Sequence, residues 1–230
     1  MAEYTNFSQL KFFGSVKFCY TGLMTDVGLR ERKKARTRRV IADAAARLFA
    51  EHGYEQVAVS DVAREAEVSE QTVYNYFQTK QQLVTDRDQL AQDELGRLIR
   101  TRAPGTSPAA AIRGFVLDSV EAIRKVPAGQ WRGELGFLAA ISPTVQRLAL
   151  EMSDRQASAI ATAIAETEAV APEIAKLRGI ALAGVFQIII NEAGRRTRGG
   201  QSQDQIATEL RPAIEAVLDD LDRWLTPGRE

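Results

Sequence analysis

From Gly28 onward, apolar positions recur at three- and four-residue intervals, and no stretch alternates long enough to form a strand. The first helix is expected over about 30–51, with Ile41, Ala44, Ala45, Leu48 and Phe49 on one stripe and Gly53 just past its end. Two short helices follow at about 59–66 and 70–77, separated by a three-residue turn, and a longer one runs on to about residue 100. Pro104, Gly105, Ser107 and Pro108 break the pattern. Beyond that break, helices are expected at about 108–125, 130–141, 143–168, 172–197 and 203–225. Pro212 falls inside the last, which should either restart or kink there. The chain reads as all-α.

Residues 1–23 stand apart. They hold Phe7, Phe12, Phe13 and Phe18 without clear periodicity, and Lys11, Gly14, Ser15 and Lys17 interrupt any apolar core a signal peptide would need. They are expected to be a leader or an unstructured arm, with Met24 an alternative start. The most apolar window, 179–190, contains Gln187 and is too short to span a bilayer. A single cysteine, Cys19, and a single histidine, His52, rule out an internal disulfide and a Cys/His zinc cluster. The cysteine usage fits a reducing, cytoplasmic setting. No metal and no cofactor is expected.

Formal net charge is zero, so any basic patch must be local. One exists: residues 30–39 carry seven basic side chains against Glu31 alone. Such a run is either a solvated helix face or an arm that gains affinity by releasing counterions from a duplex. The next segment favours the arm. Residues 59–77 have helix-turn-helix spacing, with Val62 and Ala63 inward on the first short helix, Val68 in the turn, and Val73 and Phe77 inward on the second. Ser69 stands where it would cap the second helix. Gln71, Thr72, Asn75, Tyr74 and Tyr76 are then free to meet DNA, as the N-terminal part of a recognition helix does in the major groove.

Ile41-Ala-Asp-Ala-Ala-Ala-Arg-Leu-Phe-Ala-Glu-His-Gly-Tyr54, then Ser60-Asp-Val-Ala, then Val68-Ser-x-x-Thr-Val-Tyr-x-Tyr-Phe-x-x-Lys80, resembles the N-terminal domain of TetR-family repressors. The likeness covers about residues 30–85. It implies base reading by Ser60, base or phosphate contacts by Gln71, Thr72 and Asn75, and phosphate grips by Tyr74, Tyr76 and Lys80. Arg38, in the arm, is counted among the phosphate contacts. Three departures stand out. Glu67 occupies a turn position commonly given to glycine or asparagine, and should take positive φ. Val57 and Ala58 replace threonines that would cap the first short helix. Residues 51–80 carry six acids against two bases, with Glu70 beside the expected interface.

The rest of the chain offers no nucleophile motif or phosphate loop. The helix at 172–197 is apolar all round, so it should be buried on two sides, one of them against a symmetry mate. Leu177, Val185, Ile188, Leu210, Val217 and Leu221 are the expected homodimer contacts. Trp131, Phe137, Phe186, Gln187 and Asn191 combine apolar bulk with polar handles and are the candidate effector contacts. The division expected is a leader or arm (1–23), a three-helix DNA-binding domain (24–85) whose core is local to residues 41–77, and a helical effector-binding and dimerisation bundle (86–230). The function implied is that of a ligand-responsive repressor. It binds a near-palindromic double-stranded DNA operator as a homodimer and is released by a small, hydrophobic effector, with no membrane role. The competing readings are a helical binding module or an enzyme without a DNA role.

Overall fold

The computed structural model describes residues 29–226, residues 87 and 128 excepted. The expectations for residues 1–23 lie outside the described residues. Nine α-helices are described: α1 (Leu29–His52), α2 (Val59–Glu65), α3 (Glu70–Tyr76), α4 (Asp88–Arg100), α5 (Pro108–Ala122), α6 (Leu135–Ile141), α7 (Pro143–Thr167), α8 (Pro172–Arg198) and α9 (Gln203–Leu225). Short 3-10 turns lie at Lys80–Leu83, Ile123–Lys125 and Trp131–Gly133. Among the described residues there is no strand, and no helix is long and apolar enough to cross a membrane.

Local chemistry sets most of these boundaries. Ser107, Ser142 and Ser202 each accept a hydrogen bond from an amide of the first turn they precede, supplying orphan donors of α5, α7 and α9. Pro108, Pro143 and Pro172 sit in the first turn, where no amide hydrogen is needed. Pro212 does not divide α9, which runs on through it with the ring exposed to solvent.

In the body, α7 packs along α8, α4 lies against α7, and α5 lies against α9. One buried cluster fills it, including Leu95, Ile112, Ile160, Leu182, Ile206 and Ile214. A row of ion pairs closes the α5–α9 seam, among them Arg113 with Asp219 and Arg211 with Glu121.

The head, built on α1 to α3, differs from the sequence expectation in one important respect. Its core is not local to residues 41–77. The cluster holding Ile41, Phe49, Val62, Val73 and Phe77 continues through Leu135 and Leu138 of α6, Val145 and Met152 of α7, and Ile190 of α8. Helices as short as α2 and α3 bury too little surface to close a core between them.

The expected helix at 130–141 is divided for the same reason. Its first part is the 3-10 turn Trp131–Gly133, pressed so closely on α1 that a Cβ at Gly133 would collide with the Ala46 carbonyl oxygen. A similar approach joins α6 to α8, where a Cβ on Gly194 would meet the Gly136 carbonyl. Gly133→Ala should therefore cost about 1–3 kcal/mol in urea unfolding. It should also broaden the amide signals of α1, since the clash falls on the head's own backbone. Unchanged stability would mean that this contact is not closed.

Candidate nucleic-acid interface

The turn between α2 and α3 is closed by backbone hydrogen bonds from Ala66 to the Val62 carbonyl and from Val68 to the Ala63 carbonyl, both 2.9 Å. Glu67 takes φ 53°, the positive value its turn position requires. Ser69 Oγ accepts from Thr72 N at 3.0 Å and lies 2.8 Å from the Thr72 hydroxyl, so Thr72 forms part of the cap. At the start of α2, Ala58 has no side-chain acceptor. Only the return half of the cap is made, Asp61 Oδ2 accepting from Ala58 N at 2.9 Å. That amide, helped by Arg64, holds the Asp61 carboxyl below its usual range.

Val73 and Phe77 are fully buried and anchor α3. This leaves Gln71, Tyr74 and Asn75 exposed, Thr72 and Tyr76 half-buried, and Ser60 exposed in the first turn of α2. Gln71 Nε2 donates to Asn75 Oδ1 at 3.2 Å, so the two amides face outward as a linked pair. Lys80 opens the following 3-10 turn. Its Nζ lies 4.3 Å from the centre of the Tyr54 ring and 3.4 Å from the Glu55 carbonyl oxygen. Partial burial lowers its pKa from the ordinary lysine value, against an opposing effect of the Glu55 carboxylate.

Arg38 is a correction. Its Nε donates to Asp86 Oδ1 and its Nη1 to the Tyr76 carbonyl, both at 2.7 Å, and a second nitrogen pairs with the same carboxylate. Its guanidinium also stacks 4.4 Å from the Phe77 ring centre. The side chain ties α1 to the end of α3 and to the approach to α4, and its fork is not free for phosphate. The signal was present in the sequence: Arg38 lies three residues before Ile41, on the apolar stripe of α1. Its neighbours Lys33, Lys34, Arg36 and Arg39 are exposed.

Three of the six acids at 51–80 are already engaged within the protein. Glu55 accepts from Ser142, Asp61 holds the start of α2, and Glu65 pairs with Arg47 at 3.0 Å. Only part of the apparent negative charge therefore faces a ligand.

The effector candidates do not converge. Trp131 is buried, with Nε1 donating to Thr197 Oγ1 at 3.0 Å, and Phe186 meets Phe115 edge-on in the body core. Phe137 is half-buried, 5.9 Å from the Arg132 guanidinium, and Gln187 donates to Asn191. Of the five, only Asn191 lines the cavity of about 580 Å³ between α6, the start of α7 and the end of α8.

The dimer candidates also divide. Val185 and Leu210 are 1% exposed and fill the protomer's own core, which removes them from any surface. Leu177 and Ile188 are exposed, and Val217 and Leu221 are half-buried. Ile174 and Trp224, on the apolar stripes of the last two helices, and Ile180, which the sequence pattern did not single out, extend the exposed apolar face.

The family described as bacterial regulatory proteins, tetR family, matches residues 41–86, the segment that carries this geometry. The match spans about a fifth of the chain and lies within its first half. A curated relative, the HTH-type transcriptional regulator BetI of Agrobacterium fabrum, is 41% identical over 73 residues, 29% of this chain and 35% of that protein. The chain thus matches about a third of this relative's length. Among solved structures, NalD of Pseudomonas aeruginosa, described as the secondary repressor of the MexAB-OprM multidrug efflux pump, has a TM-score of 0.56 at 20% identity. That match covers 84% of this chain and 98% of NalD. The SmeT–triclosan complex has a TM-score of 0.55 at 15% identity, covering 80% and 91%. These likenesses extend the shared fold through the body. The sequence likeness to bacterial regulatory proteins thus lies in the head, and beyond it the likeness is one of fold.

Arg38→Ala should lower stability by about 1–2 kcal/mol, its partial exposure limiting the loss. It should leave the salt dependence of duplex binding unchanged. Lys34→Ala should do the reverse, preserving stability while flattening the salt slope by about one unit. Urea unfolding and duplex titration across a salt series check both.

Proposed function

We propose that the chain is a homodimeric repressor that reads a near-palindromic operator through α3 and is released from it by a small molecule. The observation that carries this reading is the outward Gln71–Asn75 pair on a capped helix anchored by Val73 and Phe77. Amide side chains pair bidentately with adenine in the major groove. Tyr74, Tyr76 and Lys80 flank the pair, and Lys33, Lys34, Arg36 and Arg39 supply the cations that hold backbone phosphates.

Two heads require two copies. The exposed Ile174, Leu177, Ile180 and Ile188 of α8, with Trp224 of α9, form an apolar face that favours self-association. Gly184 lies within that stretch of α8 with open space before it, which favours close approach of a second helix. Release by a ligand requires an element with two arrangements. The start of α4 suits this role: Asp86 is bound from the head by Arg38, and buried Asp88 from the body by Arg155 at 2.7 Å.

Selection from a random duplex library tests the base reading. The chain should enrich a two-fold symmetric consensus, and Asn75→Ala should lose about 1–3 kcal/mol on it while changing little on unrelated duplexes. Equal loss on every sequence would make Asn75 a backbone contact.

Leu177→Arg with Ile188→Arg tests the assembly. Both side chains are exposed in the protomer, so the fold should persist while light scattering reports a monomer. Affinity for the two-fold site should fall by 10²-fold or more, because the second half-site loses its effective concentration. A double variant that stays dimeric would overturn this interface.

A further inference from the structure

The cavity between α6, the start of α7 and the end of α8 has a lining unlike the rest of the surface. Its floor is short-chained because α6 and α8 touch through backbone at Gly136 and Gly194. Ala140, Ile141 and Pro143 give it an apolar wall, Ile141 being 49% exposed. Its polar lining is rich in donors, and no carboxylate lines it.

Arg195 and Arg198 both border the cavity. Arg195 is neutralised locally, held two-pronged by Glu192 at 2.6 and 3.1 Å. The Glu192 carboxyl, pushed down to about 2 by the guanidinium of Arg195 and then of Arg196, stays ionised and keeps that clamp shut. Arg198 has no carboxylate partner among the described residues. One of its nitrogens donates to the Ala140 carbonyl at 3.1 Å, which fixes the side chain across the groove and leaves other donors unspent. Asn191 is oriented by its neighbour: Gln187 donates to Asn191 Oδ1 at 2.9 Å, so Asn191 presents its NH2 group as a donor.

We propose that this groove binds a small organic anion, a carboxylate on a compact apolar body. The carboxylate lies between Arg198 and the Asn191 amide, and the apolar part lies against Ile141 and Pro143. A volume of about 580 Å³ suits such a molecule. Occupancy bears on the head, since Ser142, on the same wall, donates to Glu55 in the loop before α2. The inference deepens the ligand-responsive reading and, for this consequence, rests on it.

The test uses 2-naphthoate and its neutral twin 2-naphthamide, titrated calorimetrically into the full chain. The naphthoate should bind at least tenfold more tightly than the amide. Arg198→Ala should abolish that preference, as the loss of a charged hydrogen bond requires. Ile141→Glu, which places an acid in the exposed wall, should abolish it independently, and Arg198→Lys should retain part of it. Equal binding of the two probes, or an undiminished preference in Arg198→Ala, would overturn the proposal. Duplex titration of the same proteins without probe separates the two questions. All three variants should bind DNA as the parent chain does, whereas a parent chain that binds no duplex would defeat the repressor reading and leave the groove result standing.

Discussion

The head of this protein cannot close its own core. α2 and α3 have seven residues each, and with α1 they present more apolar surface than they cover. The remainder is buried against Leu135, Leu138, Val145 and Met152, side chains that arrive from the other half of the sequence. A backbone-to-backbone approach at Gly133 and the hydrogen bond from Ser142 to Glu55 fix the same junction. The orientation of α3 is therefore a property of the body as much as of the helix-turn-helix. A rearrangement of α6 or α7 can reach α3 through a packed core, without a flexible linker between them.

The approach to α4 forms a second route between the same parts. Arg38 joins Asp86 to the carbonyl that ends α3, and Arg155 joins Asp88 to α7. At its far end α4 leads into Arg102, part of a largely buried triad with Glu168 and Arg178. Separating one member of such a group leaves a charge without compensation, at a cost of about 3–5 kcal/mol. The far end is thus the more firmly held. Motion at the head side, where Arg38 and Arg155 are partly solvated, costs less.

The helical pattern was legible almost throughout because nearly every boundary carries its own local signal. Ser69, Ser107, Ser142 and Ser202 cap their helices, and prolines open α5, α7 and α8. The strained turn was legible too, since only the backbone position of Glu67 mattered there. What was not legible depended on partners distant in sequence. Arg38 reads as one more cation of the arm until Asp86 and the Tyr76 carbonyl are seen beside it. Val185 and Ile188 both look like interface residues on a helix apolar all round, yet the packing of α8 on its neighbours buries the first and exposes the second. The bulk of Trp131 and Phe186 suits a ligand contact, and bulk alone equally fits a core.

The zero net charge of the chain leaves the proposed DNA affinity to local arrangement, with exposed cations on the first half of α1 and amides on α3. The most direct test of this account is a crystal structure of the full chain bound to a duplex it selects. The account predicts two copies related by a two-fold axis, the Asn75 amide within hydrogen-bond distance of a base edge in the major groove, and Arg38 still on Asp86. A complex in which α3 lies away from the groove, or in which Arg38 has left Asp86 for a phosphate, would contradict it.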